Sequence, residues 1–423
     1  MKRSKAALFA FPSVKSLNMA CGPQPEKSES NHKYSNHHDR EKWEWKGENM
    51  QAESKENTIS RNTRSASFRR FLQGGPKERN YIILDPSSYA ADFNGKFGGY
   101  ATLEDNLRFH SFFSNDSPIS EWCQEEKIIP ELKWERALLR ENEDEKMFTE
   151  TLRIPSGIKK RVVAERKGTT PWLVEPAVKK EEDFDLIDYY ADCIGEHAHA
   201  LAAWSASNYQ AVKQQGFMTG GVVLIAFEAY YLIAYPDMPL MYYDFPERYR
   251  KSMVRIQSAN IKMIEALSAA GVELFCMGSA GLELLSPKIF DEAIIPFARE
   301  TTDLIRANGL FSAYHICGHS RQLIESGRIN AIKPTWFETF STRPCGDNTS
   351  LAESLKYLDP EIISKGNLPL ELLRNGSPAD ITRSVHEIIS QSRGRRHIIG
   401  QADGTVLSGT PKENLLAYLE AAK

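Results

Sequence analysis

Residues 294–316 read IIPFARETTDLIRANGLFSAYHI, and the fold turns on this stretch. Ile294, Phe297, Ala298, Thr301, Leu304 and Ile305 fall at i, i+3, i+4, i+7, i+10 and i+11, one face of an amphipathic helix. Asn308-Gly309 then stops that helix. Residues 310–316 form an apolar run of strand length, the composition of a strand covered on both faces.

Moving outward, the same beat recurs. Residues 272–276 are a second apolar run, and Ser286-Pro287 supplies a helix cap and a first-turn proline. Downstream, the pattern predicts a helix near 321–325, a strand over 329–337, a helix near 351–358 and a strand at 362–365. A helix over 378–389, a strand at 397–400 and a helix over 411–422 complete it. Strict alternation of buried strands and amphipathic helices means a parallel sheet. No strand is followed by a G-x-G-x-x-G turn, which removes the dinucleotide-binding open sheet. Residues 81–84, ended by Asp85-Pro86, and the apolar segment 222–227 add two more strands. The fold class expected is α/β, a (β/α)8 TIM-type barrel with insertions over residues 76–423. Between about 100 and 215 the pattern is mixed, with acidic helical stretches at 140–146 and 181–190.

Residues 1–75 are rich in Ser, Asn, Lys, Arg and Glu without periodicity, and are expected to be a disordered extension. Lys2, Arg3, Lys5 and Lys15 precede the first acid, Glu26, which faintly resembles an organellar transit peptide. A cytoplasmic location is the main expectation. The chain of 423 residues carries 53 Lys+Arg against 56 Asp+Glu, a net charge of -3, so no global polycation marks it as a nucleic-acid binder. No apolar run is long enough to span a membrane. Six scattered cysteines suit a reducing compartment better than a disulfide scaffold.

A barrel gathers its chemistry at the C-terminal ends of its strands. The reactive residues there are Asp85, Glu228, Cys276, His315 with Cys317, Glu338, Asn367 and Asp403. Glu228 and Asn367 are the catalytic candidates. His315 and Cys317 stand at i and i+2, so at a strand end both side chains can converge on one ion. Zn²⁺ accepts imidazole and thiolate but needs a third protein ligand in a catalytic site. Glu338, Asp403 and Cys276 are candidates for it, with Cys345 after the next strand. The plainer alternative makes Cys317 a small buried hydrophobe and His315 a satisfied core histidine. Cys193, His197 and His199 form a second metal-like cluster, but on a helix His199 turns away from the other two. Arg393, Arg395 and Arg396 read as a solvated loop. The aromatic run Phe227, Tyr230, Tyr231, Tyr242, Tyr243 and Phe245 reads as core that could wall a pocket for a flat substrate.

Four segments in order, Ser286-Pro287-Lys288-Ile289-Phe290 through Pro296, His315-Ile316-Cys317-Gly318, Lys365-Gly366-Asn367-Leu368 and Gly409-Thr410-Pro411-Lys412-Glu413-Asn414, resemble the uroporphyrinogen decarboxylase superfamily. That group includes the decarboxylases and the cobalamin-dependent methyltransferases. The decarboxylase branch implies an Arg-Gln-Ala-Gly-Arg-Tyr segment that binds the porphyrinogen carboxylates, and it is not found here. The methyltransferase branch implies zinc on His315 and Cys317 together with a later cysteine. At the corresponding loop this chain reads Gln401-Ala402-Asp403-Gly404, with Asp403 nearest. The resemblance implies a zinc-dependent methyltransferase moving a methyl group between a small substrate, such as a methoxylated compound or a thiol, and a corrinoid on a separate partner protein. The alternatives are a decarboxylase of a porphyrinogen or smaller carboxylic acid, and a non-catalytic barrel paralogue. No nucleic-acid or membrane partner is expected.

Overall fold

The computed structural model describes residues 54–86, 89–90, 102–120, 125–143, 145–166, 172–223, 232–233, 237–279, 285–402 and 404–423. Its strands in chain order are β1 (Tyr81–Ile83), β2 (Ile119–Ser120), β3 (Glu135–Glu141), β4 (Glu145–Ile154), β5 (Gly157–Arg166) and β6 (Trp172–Glu175). Then come β7 (Thr219–Val223), β8 (Leu274–Ser279), β9 (Phe311–Ile316), β10 (Trp336–Glu338), β11 (Ile363–Leu368) and β12 (His397–Gln401). Eight of them form one sheet in the order β1-β12-β11-β10-β9-β8-β7-β2, with every neighbouring pair parallel. Asn115 and Asp116, just before β2, bond to the β1 side: Asp116 N donates to Ile82 O at 2.8 Å, and Leu84 N donates to Asn115 Oδ1 at 3.0 Å. The curled sheet with its covering helices is a (β/α)8 barrel.

Alternation along each strand decides what it faces. Tyr81, Ile83, Leu274, Phe311, Ala313, Trp336, Ile363 and Ile398 form one inner cluster, while Tyr314, Ile316, Phe337 and Ile399 belong to the larger core under the helices. Covered on both faces, these strands read as apolar runs. Ser286 caps its helix as expected, its hydroxyl accepting from Ile289 N. Among the described residues, no helix is long and apolar enough to cross a membrane.

Five expectations need correction. The boundary of the N-terminal extension at residue 75 is too late, because α1 (Ser54–Leu72) belongs to the folded body. Its last turn puts Phe68, Phe71 and Leu72 into the inner cluster, and Phe71 stacks on Tyr81 with ring centroids 4.5 Å apart. Arg64 and Arg79 both clasp the buried Asp116, and Arg69 pairs with Glu273 at 2.7 Å. The apolar signal is confined to that one turn of a charged helix, too little to give a periodicity. Arg395 and Arg396 likewise serve this end: Arg395 donates to Leu358 O and Asp359 O, and Arg396 bonds Phe71 O and lies over its ring.

Of residues 140–146, expected to be helical, 140–141 end β3 and 145–146 begin β4 of a four-stranded antiparallel sheet, β3-β4-β5-β6. Their charges pair across the hairpin, Arg140 with Glu145 and Lys146 with Glu141. The expected strand over 329–337 begins as a helix, Arg328–Ile332, broken where Lys333 takes φ of 55° ahead of Pro334. The segment expected at 222–227 is a strand at Thr219–Val223, and 224–227 lie outside the described residues.

Candidate active site

Three adjacent strands carry the site, and their register sets its geometry. Glu338 on β10 is level with His315 on β9 and with Lys365 on β11. On the same inner face, two residues away, stand Ala313, Trp336 and Ile363 of the inner cluster. All three polar side chains are therefore held inside the barrel with no freedom to trade neighbours.

His315 bridges two partners of different kind. Its Nδ1 lies 2.7 Å from Glu338 Oε1, and its Nε2 lies 3.0 Å from Cys317 Sγ. A carboxylate only accepts, so Nδ1 carries the hydrogen, and in the neutral ring Nε2 then keeps its lone pair on the Cys317 side. The other carboxylate oxygen, Glu338 Oε2, is 3.3 Å from Lys365 Nζ and 3.3 Å from Trp336 Nε1. Burial alone would raise the Glu338 pKa, but the Lys365 charge and the bond and charge of His315 outweigh it and hold the carboxyl down at about 2.

Glu338 is thus on the far side of the imidazole from Cys317, with both oxygens engaged. Expected among the metal ligands, Glu338 here bonds the Nδ1 side of His315 rather than standing beside the thiol. Cys276 packs on the inner cluster, and burial followed by the nearby Glu338 charge pushes its thiol far up. It behaves as a core residue. Asn367, also on β11, donates its amide to Phe340 O at 3.2 Å. Asp85 follows β1, and its backbone carbonyl accepts from Val406 N. Cys345 lies half-buried in the loop after β10. Glu228 and Asp403 lie outside the described residues. Of the second cluster, His197 Nδ1 contacts the backbone carbonyl of Cys193 at 3.0 Å, an ordinary helix-end contact.

His315 and Cys317 present a nitrogen and a sulfur to one side, two donors of the kind zinc prefers. Among the described residues, no group of three or more His, Cys, Asp or Glu could hold a metal ion, and Asp403, a sequence candidate for a third donor, lies outside them. The residue that sequence reasoning missed is Lys365. It sits two positions from Ile363 and two from Asn367, on the same face of one strand, and that spacing is the signal that could have found it.

Residues 119–423 match the family profile described as uroporphyrinogen decarboxylase (URO-D). A uroporphyrinogen decarboxylase of Prochlorococcus marinus (strain NATL1A) is 25% identical over 158 residues, 36% of this chain and 41% of that protein. A methylated-thiol--coenzyme M methyltransferase of Methanosarcina mazei is 29% identical over 164 residues, 38% of this chain and 40% of that protein. The chain spans less than half the length of either curated relative. The solved structure of a methyltransferase from Methanosarcina mazei superposes with a TM-score of 0.58 at 12% identity, covering 85% of this chain and 97% of that one, a likeness of fold.

Proposed function

Because the chain belongs to the uroporphyrinogen decarboxylase family, we propose that it is a methyltransferase that moves a methyl group between a small substrate and a corrinoid held by a separate protein. The observation that carries this reading is the His315 and Cys317 pair, a nitrogen and a sulfur turned to one side at a strand mouth. His315 Nε2 and Cys317 Sγ would hold zinc, with Asp403 as the third donor. When bound, zinc would supply Lewis acidity, polarising a substrate oxygen or lowering the pKa of a thiol. Glu338 holds Nδ1–H and so keeps the ring edge-on to the site. Asn367, with its amide tied to Phe340 O, would present its carbonyl oxygen to substrate, and Glu228 would manage a proton there. An oxygen donor in place of a thiolate gives a harder ion, which favours a methoxylated compound over a thiol as methyl donor. A reducing compartment such as the cytoplasm would keep Cys317 available.

The decarboxylase reading needs several cations for a polycarboxylate. Lys365, the cation that β11 places inside the barrel, is already committed to Glu338.

The test is metal content by mass spectrometry on the purified protein beside Cys317→Ala, then cobalt–carbon cleavage with methylcobalamin and methoxylated or thiol substrates. About one zinc per chain, lost in the variant, together with cleavage, is the expected result. No metal and no cleavage under any substrate would overturn the proposal, and binding of a carboxylated compound would then decide between a decarboxylase and a non-catalytic barrel.

A further inference from the structure

Lys365 is 3% exposed and stands on the inner face of β11, two residues beyond Ile363 of the apolar inner cluster. Replacing a buried ion pair by apolar groups of similar volume is often neutral or stabilising, so stability alone does not account for a lysine there. Room has also been made for it. A Cβ on Gly400 of the adjacent strand would come within 2.6 Å of Lys365 Cε and 3.1 Å of Ile83 O. Any side chain at 400 would push the lysine stem off its course.

What that stem reaches is a single oxygen. Glu338 Oε2 receives Lys365 Nζ at 3.3 Å and Trp336 Nε1 at 3.3 Å, and the opposite oxygen meets His315 Nδ1 at 2.7 Å. A carboxylate gripped at one oxygen by two donors cannot rotate, so the other oxygen is aimed at the imidazole. We propose that Lys365 is a positioning residue: by clamping Glu338 it fixes the orientation and tautomer of His315, so that Nε2 keeps its lone pair toward Cys317. Gly400 is part of the same device, because only a residue without a side chain leaves the clamp its path. The metal-affinity consequence rests on the proposed role of His315 and Cys317, whereas the tautomer does not.

The experiment is ¹⁵N-histidine NMR of the metal-free full chain, with the His315 ring signals assigned by their loss in His315→Gln. The wild type should show a pyridine-type Nε2 and a pyrrole-type Nδ1. In Lys365→Met both nitrogens should move to averaged shifts as the ring samples both tautomers, while circular dichroism remains that of a folded barrel. Gly400→Ala keeps every polar group and crowds the lysine stem most, with Ile83 O next, and it should give the same averaging. A folded Lys365→Met that retains the wild-type pair of signals overturns the proposal, and Gly400→Ala decides in the same way if Lys365→Met does not fold. Cobalt(II) titration is the second readout: both variants should bind about tenfold more weakly, the size of loss typical of an outer-shell partner. A wild type that binds no cobalt removes the methyltransferase reading, and the role of Lys365 is then decided by the ring signals alone.

Discussion

Two histidines on the barrel strands, His315 and His397, are both buried, and they live in opposite chemistry. His397 accepts from Ser364 Oγ at Nδ1, 2.8 Å away, and donates from Nε2 to the Gly366 carbonyl at 2.9 Å. Its partners are neutral. Burial, helped by Lys77, pushes its pKa down to about 3, so it is a fixed uncharged strut. His315 has a carboxylate at Nδ1 and a thiol at Nε2, the reverse tautomer. A carbonyl gives a histidine a structural task, and a carboxylate gives it a directed lone pair. The difference extends to the barrel ends. The end closed by α1 is filled with aromatic rings, whereas the strand mouths of β9, β10 and β11 hold the ion pair Lys365–Glu338 and the imidazole bonded to it.

The largest effect that separates the two ends is their response to acid. His397 and His110, the latter buried between Phe109 and Phe217, both have pKa values lowered to about 3 from 6.5. The unfolded chain therefore binds an extra proton at each between those values. Stability is fully present above pH 6.5 and falls as pH drops toward 3, by roughly 1.4 kcal/mol per pH unit for each histidine. Glu338 has the opposite charge type and a lower window: its contribution holds above 4.5 and is lost as pH falls toward 2. Urea unfolding of wild type and His397→Gln at pH 7, 6, 5 and 4 should show a shallower slope in the variant already between 6.5 and 4.5. Equal slopes would mean that His397 is not held neutral.

Truncation sharpens the contrast next. Phe71→Ala empties a fully buried ring site under the barrel and should cost about 3–5 kcal/mol in urea unfolding. Metal content should not change, since the cavity lies among Phe68, Tyr81 and Trp336. Glu338→Gln leaves Lys365 buried without a counter-charge and should cost a similar amount, about 3–5 kcal/mol. Here the His315 ring signals should move as well. A Glu338→Gln protein as stable as wild type would show that the pair is solvated in solution.

These contrasts also mark what the sequence could reveal. Strands β9, β11 and β12 were legible because each is covered on both faces and reads as an apolar run between amphipathic helices, whereas the three-residue β10 was merged with the short helix before it. His315 and Cys317 stood out for the same reason, as polar letters at the end of such a run. The insert β3–β6 was not legible, because a sheet with one face in solvent and charges paired across strands spells the same letters as an acidic helix. Arg136 bonds Glu150 across the β3–β4 pair and Glu165 two strands away, contacts invisible to a helical or single-strand period. Lys365 was hidden by its strand, since a lysine in IISKGNL is read as an interruption until the register shows Glu338 beside it.

The smallest effect belongs to the insert, and it tests whether that sheet is a frame independent of the barrel. Leu138 and Leu139 on β3 are each 56% exposed, and the β3–β4 register shifts between Leu138 and Arg140. A bulge of this kind on an outer strand twists its edge away from further pairing, so the exposed leucines carry little packing energy. Leu138→Lys should therefore change unfolding free energy by no more than about 0.5 kcal/mol, the range of a surface substitution. It should leave the His315 signals and the metal content unaltered, because β3 touches the body through β4, whose Leu152 and Ile154 enter the main core. A loss near that of Phe71→Ala would place Leu138 in a packed interface and make the insert as much a part of the barrel's stability as α1.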